Sequence, residues 1–174
     1  MKIFITNLGK YTDGYLIGKW VKLPVSEDKL NEVLKEIGIN EYYEEYFITD
    51  YENEIIGIGD VISEYSSVQA LNELAQRLEE LSDDEADKLG AVLEYEACRS
   101  VSEVLELLDK LDEFDLLTDV TDDEELGYYY AEEYCCIDIP ESIQPYFDYE
   151  KFGRDVRLQS CCLYTSYGFL LDNR

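Results

Sequence analysis

Apolar positions set out three stretches of different period along this chain. Residues 3–7 form a short apolar run that predicts a strand. Residues 8–14 carry turn chemistry in Gly9 and Asp13-Gly14, and residues 15–23 predict a second strand closed by Pro24. Ser26 can cap a helix whose Leu30, Val33, Leu34 and Ile37 recur at helical spacing, with Gly38 as its stop. A third strand is expected over 46–50. Residues 54–62 are apolar but broken by Gly57 and Gly59, and fit either a strand or a linker.

The period is helical from 66 to 114. Ser66-x-x-Gln69, Ser82-x-x-Glu85 and Ser100-x-x-Glu103 have the spacing of capping boxes, in which the serine and the acid or amide satisfy each other's backbone donors. Val68, Leu71, Leu74, Leu78 and Leu81 make one apolar stripe, and Val101, Val104, Leu105, Leu108 and Leu111 another. Gly90 interrupts the middle helix. The last third is mixed: a strand over 116–120, a helix opened by a fourth box at Thr121-x-x-Glu124, a short helix near 142–146, a helical turn from Asp148 ending at Gly153, and a strand over 161–171. The fold class is α+β, with three small units in series: an N-terminal antiparallel sheet with a helix (1–62), a central helical bundle (63–114) and a C-terminal mixed α/β unit (115–174).

Charge changes this picture most. The 174 residues carry 41 acids against 14 bases and no histidine, for a net charge of −27. Residues 1–40 hold six lysines and five acids, residues 41–150 hold 34 acids and four bases, and residues 151–174 hold four bases and two acids. Nucleic acid and anionic membranes would repel such a chain. The 46% hydrophobic content argues against disorder. No signal-peptide core forms before Asn7, and no run approaches the ~18 apolar residues of a membrane span, so a soluble cytoplasmic protein is expected.

Lack of histidine removes Ser-His and Cys-His couples and imidazole metal sites. Asp122-Asp123-Glu124-Glu125 lacks the alternation and the central glycine of a calcium loop. Among so many carboxylates no acid–base pair stands out, so no enzyme, cofactor or metal site is assigned. Cys98, Cys135, Cys136, Cys161 and Cys162 have neither metal-site spacing nor a secretory context, and are expected to be small buried hydrophobes. Tyr42, Tyr43, Tyr46, Tyr51, Tyr128, Tyr129, Tyr130, Tyr146 and Tyr149 lie among acids, where a phenol can bury its ring and donate to a carboxylate.

Duplex DNA carries one charge per ~1.7 Å, so this chain matches about 46 Å of duplex and two copies about 92 Å. Glu103, Glu106, Asp109, Asp112 and Glu113 are expected on the solvent face of the third helix. Acids three residues apart on a helix rise ~4.5 Å, comparable with the ~3.4 Å between phosphates of one strand. Solubility needs a net charge of only ~2–8 in a small domain. Halophilic adaptation, or an acidic scaffold for another basic DNA-binding protein, would also use such a surface.

Local sequence narrows these alternatives. Ile5-Thr6-Asn7-Leu8-Gly9-Lys10-Tyr11, then Gly14-Tyr15-Leu16-Ile17-Gly18-Lys19-Trp20 and Pro24, resembles the opening of the ArdA antirestriction proteins. Tyr43-Glu44-Glu45-Tyr46-Phe47-Ile48-Thr49-Asp50-Tyr51-Glu52 is similar to the family's next block. Tyr146-Phe147-Asp148-Tyr149-Glu150 and Phe152-Gly153-Arg154-Asp155 resemble its C-terminal signature. The resemblance implies an elongated three-domain chain, dimeric through its C-terminal domain. Such a protein mimics bent B-form DNA, occupies the DNA groove of type I restriction-modification enzymes and travels on conjugative plasmids and transposons. The acids expected to act collectively are Glu44, Glu45, Glu52, Glu73, Glu79, Glu80, Asp84, Glu103, Glu106, Asp109, Asp112, Glu113, Asp122, Asp123, Glu125, Glu132 and Glu133. The dimer interface is expected at Ile139, Ile143, Tyr146, Phe147, Tyr149, Phe152, Arg154 and Asp155, where acids are sparse.

Overall fold

The computed structural model describes every residue except Ile56, Cys135, Cys136 and Asp138. Mixed α and β elements build two compact units. One comprises Met1–Ala86 with Glu96–Asp109, the other Asp87–Tyr95 with Lys110–Arg174.

The first unit opens with β1 (Lys2–Asn7), α1 (Leu8–Thr12), β2 (Gly18–Lys22), α2 (Glu27–Glu36) and β3 (Tyr46–Glu52). The strands form an antiparallel sheet in the order β2-β1-β3. Alternation puts Ile3, Ile5 and Val21 on a fully covered face, and α2, which contributes buried Val33, packs by β2. Residues 8–14 are not merely a turn: the Asn7 side chain accepts from the Lys10 N–H and starts α1. The second strand is shorter than 15–23, because Tyr15 and Leu16 follow the Gly14 turn and stay exposed. Ser26 caps α2 and Gly38, at φ +83°, follows its end. Residues 54–62, apart from Ile56, give no strand; Ile58–Val61 is a 3-10 turn with Ile58 and Val61 buried.

Next come α3 (Val68–Glu79), α4 (Asp83–Tyr95), whose first turn belongs to this unit, and α5 (Val101–Leu108). The cap of α3 is Ser67, not Ser66, since the Ser66 hydroxyl accepts from the Ser63 N–H at 2.9 Å. Ser82 and Glu85 make the reciprocal box expected of them. Ser100 caps α5, with Glu103 accepting from the Arg99 N–H. Asn72 clamps α3 to the segment after β2 through both bonds to the Val25 backbone, at 2.9 and 2.7 Å. Because α5 ends at Leu108 and a separate 3-10 turn covers Leu111–Glu113, the five acids expected on one helix face do not share a helix.

The second unit holds the remainder of α4, β4 (Phe114–Leu117), α6 (Asp123–Tyr128), α7 (Tyr149–Gln159), β5 (Cys162–Thr165) and β6 (Gly168–Asp172). Its sheet is antiparallel in the order β4-β6-β5. Residues 161–171 form a hairpin rather than one strand, with Gly168 at φ +131° and no room for a Cβ beside the Leu117 carbonyl. The strand expected over 116–120 instead spans Phe114–Leu117, although Val120 is still buried. Asp122, not Thr121, caps α6, and Glu125 reaches back to the Thr121 N–H and hydroxyl. The helix then widens to π geometry over Tyr129–Tyr134.

Gly153 does not end a helix. It is buried in the middle of α7, where a methyl would overlap the Asp123 carbonyl, and a methyl on Gly127 of α6 would overlap the Tyr149 carbonyl. These two glycines let α6 and α7 touch backbone to backbone. Gly90 likewise does not interrupt α4; the Tyr167 ring lies where its side chain would be.

Candidate partner-binding surface

The candidate acids fall on helices, helix ends and loops of both units. In the first, Glu44 and Glu45 precede β3, Glu52 ends it, Glu73 and Glu79 lie on α3 and Glu80 follows as its C-cap. Asp84 is in the first turn of α4, Glu103 and Glu106 are on α5, and Asp109 is its C-cap. In the second, Asp112 and Glu113 occupy the 3-10 turn, Asp122, Asp123 and Glu125 the start of α6, and Glu132 and Glu133 the π-helical turn. All are exposed except Asp123. Local chemistry explains part of this density: Asp83, Asp84 and Glu85, and Asp123, Glu124 and Glu125, crowd first turns where the helix dipole favours negative charge.

Several acids have internal partners. Glu52 pairs with Lys2 at 2.7 Å and Asp109 with Arg77 at 2.8 Å. Asp123 has a different standing, being gripped by Arg157 at 2.7 and 3.0 Å and by the Tyr164 hydroxyl at 2.8 Å. The Arg157 guanidinium holds its carboxyl below the usual range despite partial burial. With 41 acids and 14 bases, one-to-one pairing would still leave 27 carboxylates without a positive partner.

Tyr43 donates to Asp13 at 2.9 Å and Tyr149 to Glu132 at 2.7 Å, as their context suggests, while Tyr164, outside that set, donates to Asp123. Tyr149 is buried, with its ring stacked on Tyr128 at 3.8 Å. Phe147 and Phe152 are half-buried and pack edge to face at 5.7 Å. Ile143 and Tyr146 are the open members of the aromatic segment, 52% and 85% exposed. Ile139 is half-buried, while Arg154 and Asp155 are exposed and, among the described residues, form no ion pair with each other.

The cysteines are less buried than expected. Cys98 and Cys162 are half-buried, which raises both thiols, and Cys161 is exposed; Cys135 and Cys136 lie outside the described residues. Among the described residues no cluster suits a metal ion, and no helix is long and apolar enough to cross a membrane.

The Tyr149–Glu132 bond gives a pH prediction. Hydrogen bonding to Glu132, with burial, pushes the Tyr149 phenol up to about 12. A folded-state value above the unfolded ~10 means that the protonated phenol's stabilisation is complete below pH ~10 and is lost as pH rises towards about 12. Alkaline unfolding of the second unit should therefore steepen between pH ~10 and ~12. Tyr149→Phe should flatten that limb, as followed by circular dichroism. An unchanged limb would assign alkaline sensitivity to other groups.

A family model for the antirestriction protein ArdA matches residues 3–170. No individual curated protein matches the chain. The matched span reaches every strand of both sheets and takes in all seven helices of the described residues, so this chain belongs to the ArdA family of antirestriction proteins.

Proposed function

We propose that this antirestriction protein acts as a mimic of B-form DNA, occupying the DNA-binding groove of a type I restriction-modification enzyme in the bacterial cytoplasm. The supporting observation is the exposed, largely uncompensated acid distribution over residues 41–150. Carboxylates would stand in for phosphates against lysines and arginines lining the groove, and long-range attraction would speed association. Phosphate contacts position a duplex without reading sequence, so the inhibitor can ignore the enzyme's recognition site. Mobile genetic elements entering a new host would gain protection this way. In this reading the partner is protein, not nucleic acid or membrane, and no cofactor takes part.

We also propose a homodimer whose interface lies within residues 139–158, with Ile143 and Tyr146 as its accessible anchors. Tyr149 would support that surface from beneath.

The test is inhibition of a purified type I enzyme across salt. Inhibition should weaken markedly between ~50 and ~200 mM salt, less steeply than DNA binding does, since the protein has no condensed counterions to release. An affinity unchanged over that range would point to an apolar contact. Equal or tighter binding to a histone-like DNA-binding protein would favour the acidic-scaffold alternative.

A further inference from the structure

The open face of the N-terminal sheet carries chemistry that charge mimicry does not use. Antiparallel register puts Trp20, Phe4 and Asp50 in one row across β2, β1 and β3, on the face opposite Ile3, Ile5 and Val21. The next row holds Gly18, Thr6 and Phe47. Phe4 and Trp20 meet edge to face at 5.3 Å, and Tyr11, brought over by α1, meets Phe47 in the same way at 5.2 Å. A methyl on Gly18 would overlap the Phe4 ring, so glycine there lets that ring lie down on the sheet. A register shift after Phe4 admits Thr49, whose hydroxyl bonds that of Thr6 at 2.8 Å and satisfies the polar floor.

The four rings border an open cavity of about 480 Å³, with Asp50 and Glu64 on its rim. Glu64 is held there because its carbonyl accepts from the Ile48 N–H at 2.8 Å. Trp20 is 39% exposed and Tyr11 51%, which leaves ring surface for an incoming group.

Ring faces and carboxylates both favour a cation. Nearby bases oppose this only in part. Lys2 shares the face but pairs with Glu52 at 2.7 Å, Lys19 pairs with Glu36 from the other face, and Lys22 contributes one positive charge against the two rim acids. We propose that this aromatic box binds an arginine side chain of a basic partner protein. A guanidinium is planar, weakly hydrated and able to stack on tryptophan while donating two bonds to a carboxylate, whereas a lysine ammonium gives up more hydration for a point contact. A neutral apolar segment would gain nothing from Asp50 and Glu64. The box gives the nearly neutral N-terminal region a directional contact.

Trp20 is the sole tryptophan, so its emission reports on this site alone. The full chain is titrated with acetyl-Gly-Arg-Gly-amide at about 150 mM salt, and with the citrulline peptide, which keeps the shape without the charge. The arginine peptide should change Trp20 emission saturably, at least several-fold more tightly than the citrulline peptide. The double variant Asp50→Asn/Glu64→Gln should bind about fivefold more weakly, and Tyr11→Leu, which removes a ring but keeps an apolar side chain, should show a similar loss. Asp28→Asn, an exposed acid on α2 away from the box, should bind as the parent does. Circular dichroism confirms the fold of each variant, and Tyr11→Leu carries the test should the double variant unfold. Equal response to the citrulline peptide, or parental binding by the folded variants, overturns the proposal. No restriction enzyme enters the titration, so its failure leaves the groove reading standing, and failure of inhibition leaves the box standing.

Discussion

Conversion of Glu103, Glu106, Asp109 and Asp112 to their amides together should weaken inhibition of the type I enzyme by about thirtyfold, at ~0.5 kcal/mol for each exposed charge. Glu106→Gln alone should cost about twofold. Two of the four have roles in the fold. Glu103 accepts from the Arg99 N–H at 2.7 Å, a bond that glutamine can keep, and Asp109 pairs with Arg77 at 2.8 Å on the surface. Loss of that exposed pair is offset by relief of repulsion in a chain of net charge −27, so the melting temperature should hold or rise. Inhibition constants for the single and quadruple variants at one salt concentration decide the matter. One acid whose loss alone abolishes inhibition in a folded protein would falsify collective mimicry and point to a discrete contact.

Gly153→Ala should have the largest effect on stability. The added methyl meets the Asp123 carbonyl and the Gly127 backbone N–H, neither of which can rotate away. Overpacking of this kind costs about 1–3 kcal/mol, and backbone against backbone belongs at the upper end. Alanine's helix propensity returns about 1 kcal/mol. A net loss near 2 kcal/mol would lower the melting temperature of a unit of this size by on the order of 10 °C. Gln159→Ala, exposed at the end of the same helix, should shift it by less than about 2 °C. Thermal unfolding followed at 222 nm tests both. A Gly153→Ala protein as stable as the parent would mean that α6 and α7 can separate without penalty.

Periodicity made the helices and the N-terminal strands legible, because each buries one face and its polar residues mark the other. Ser26, Ser82 and Ser100 located starts for the same reason: a short side-chain acceptor is needed wherever backbone donors lack partners. The misread starts came from local competition. Ser63 claimed the Ser66 hydroxyl, and Asp122 displaced Thr121 as the stronger acceptor. Glycine misled for a different reason. Gly90 and Gly153 have the composition of helix stops, yet each gives up its side chain to a neighbour distant in sequence, Tyr167 for one and the Asp123 carbonyl for the other. Spacing along one segment carries no trace of such a neighbour.

The acids were legible as a set, not as individuals. Asp123 looked like its neighbours in the run 122–125, and only the arrival of Arg157 and Tyr164, more than thirty residues on, sets it apart. The aromatic box escaped notice because its rings come from α1 and all three strands, and only strand register aligns Trp20, Phe4 and Asp50.

The way the two units share the chain bears on how the protein is made. Residues 87–95 are counted with the second unit although they precede α5 of the first. The shortest contiguous stretch holding all of the first unit is thus 1–109, and for the second it is 87–174. During synthesis the N-terminal sheet can form early, but its unit closes only after α5 has left the ribosome. By then α4 has already emerged without its remaining partners, which arrive with the last strands. Truncation at residue 86 would strand the first unit without α5, and a fragment starting at 110 would leave the second without its share of α4. Pieces meant to isolate either unit therefore have to overlap over 87–109.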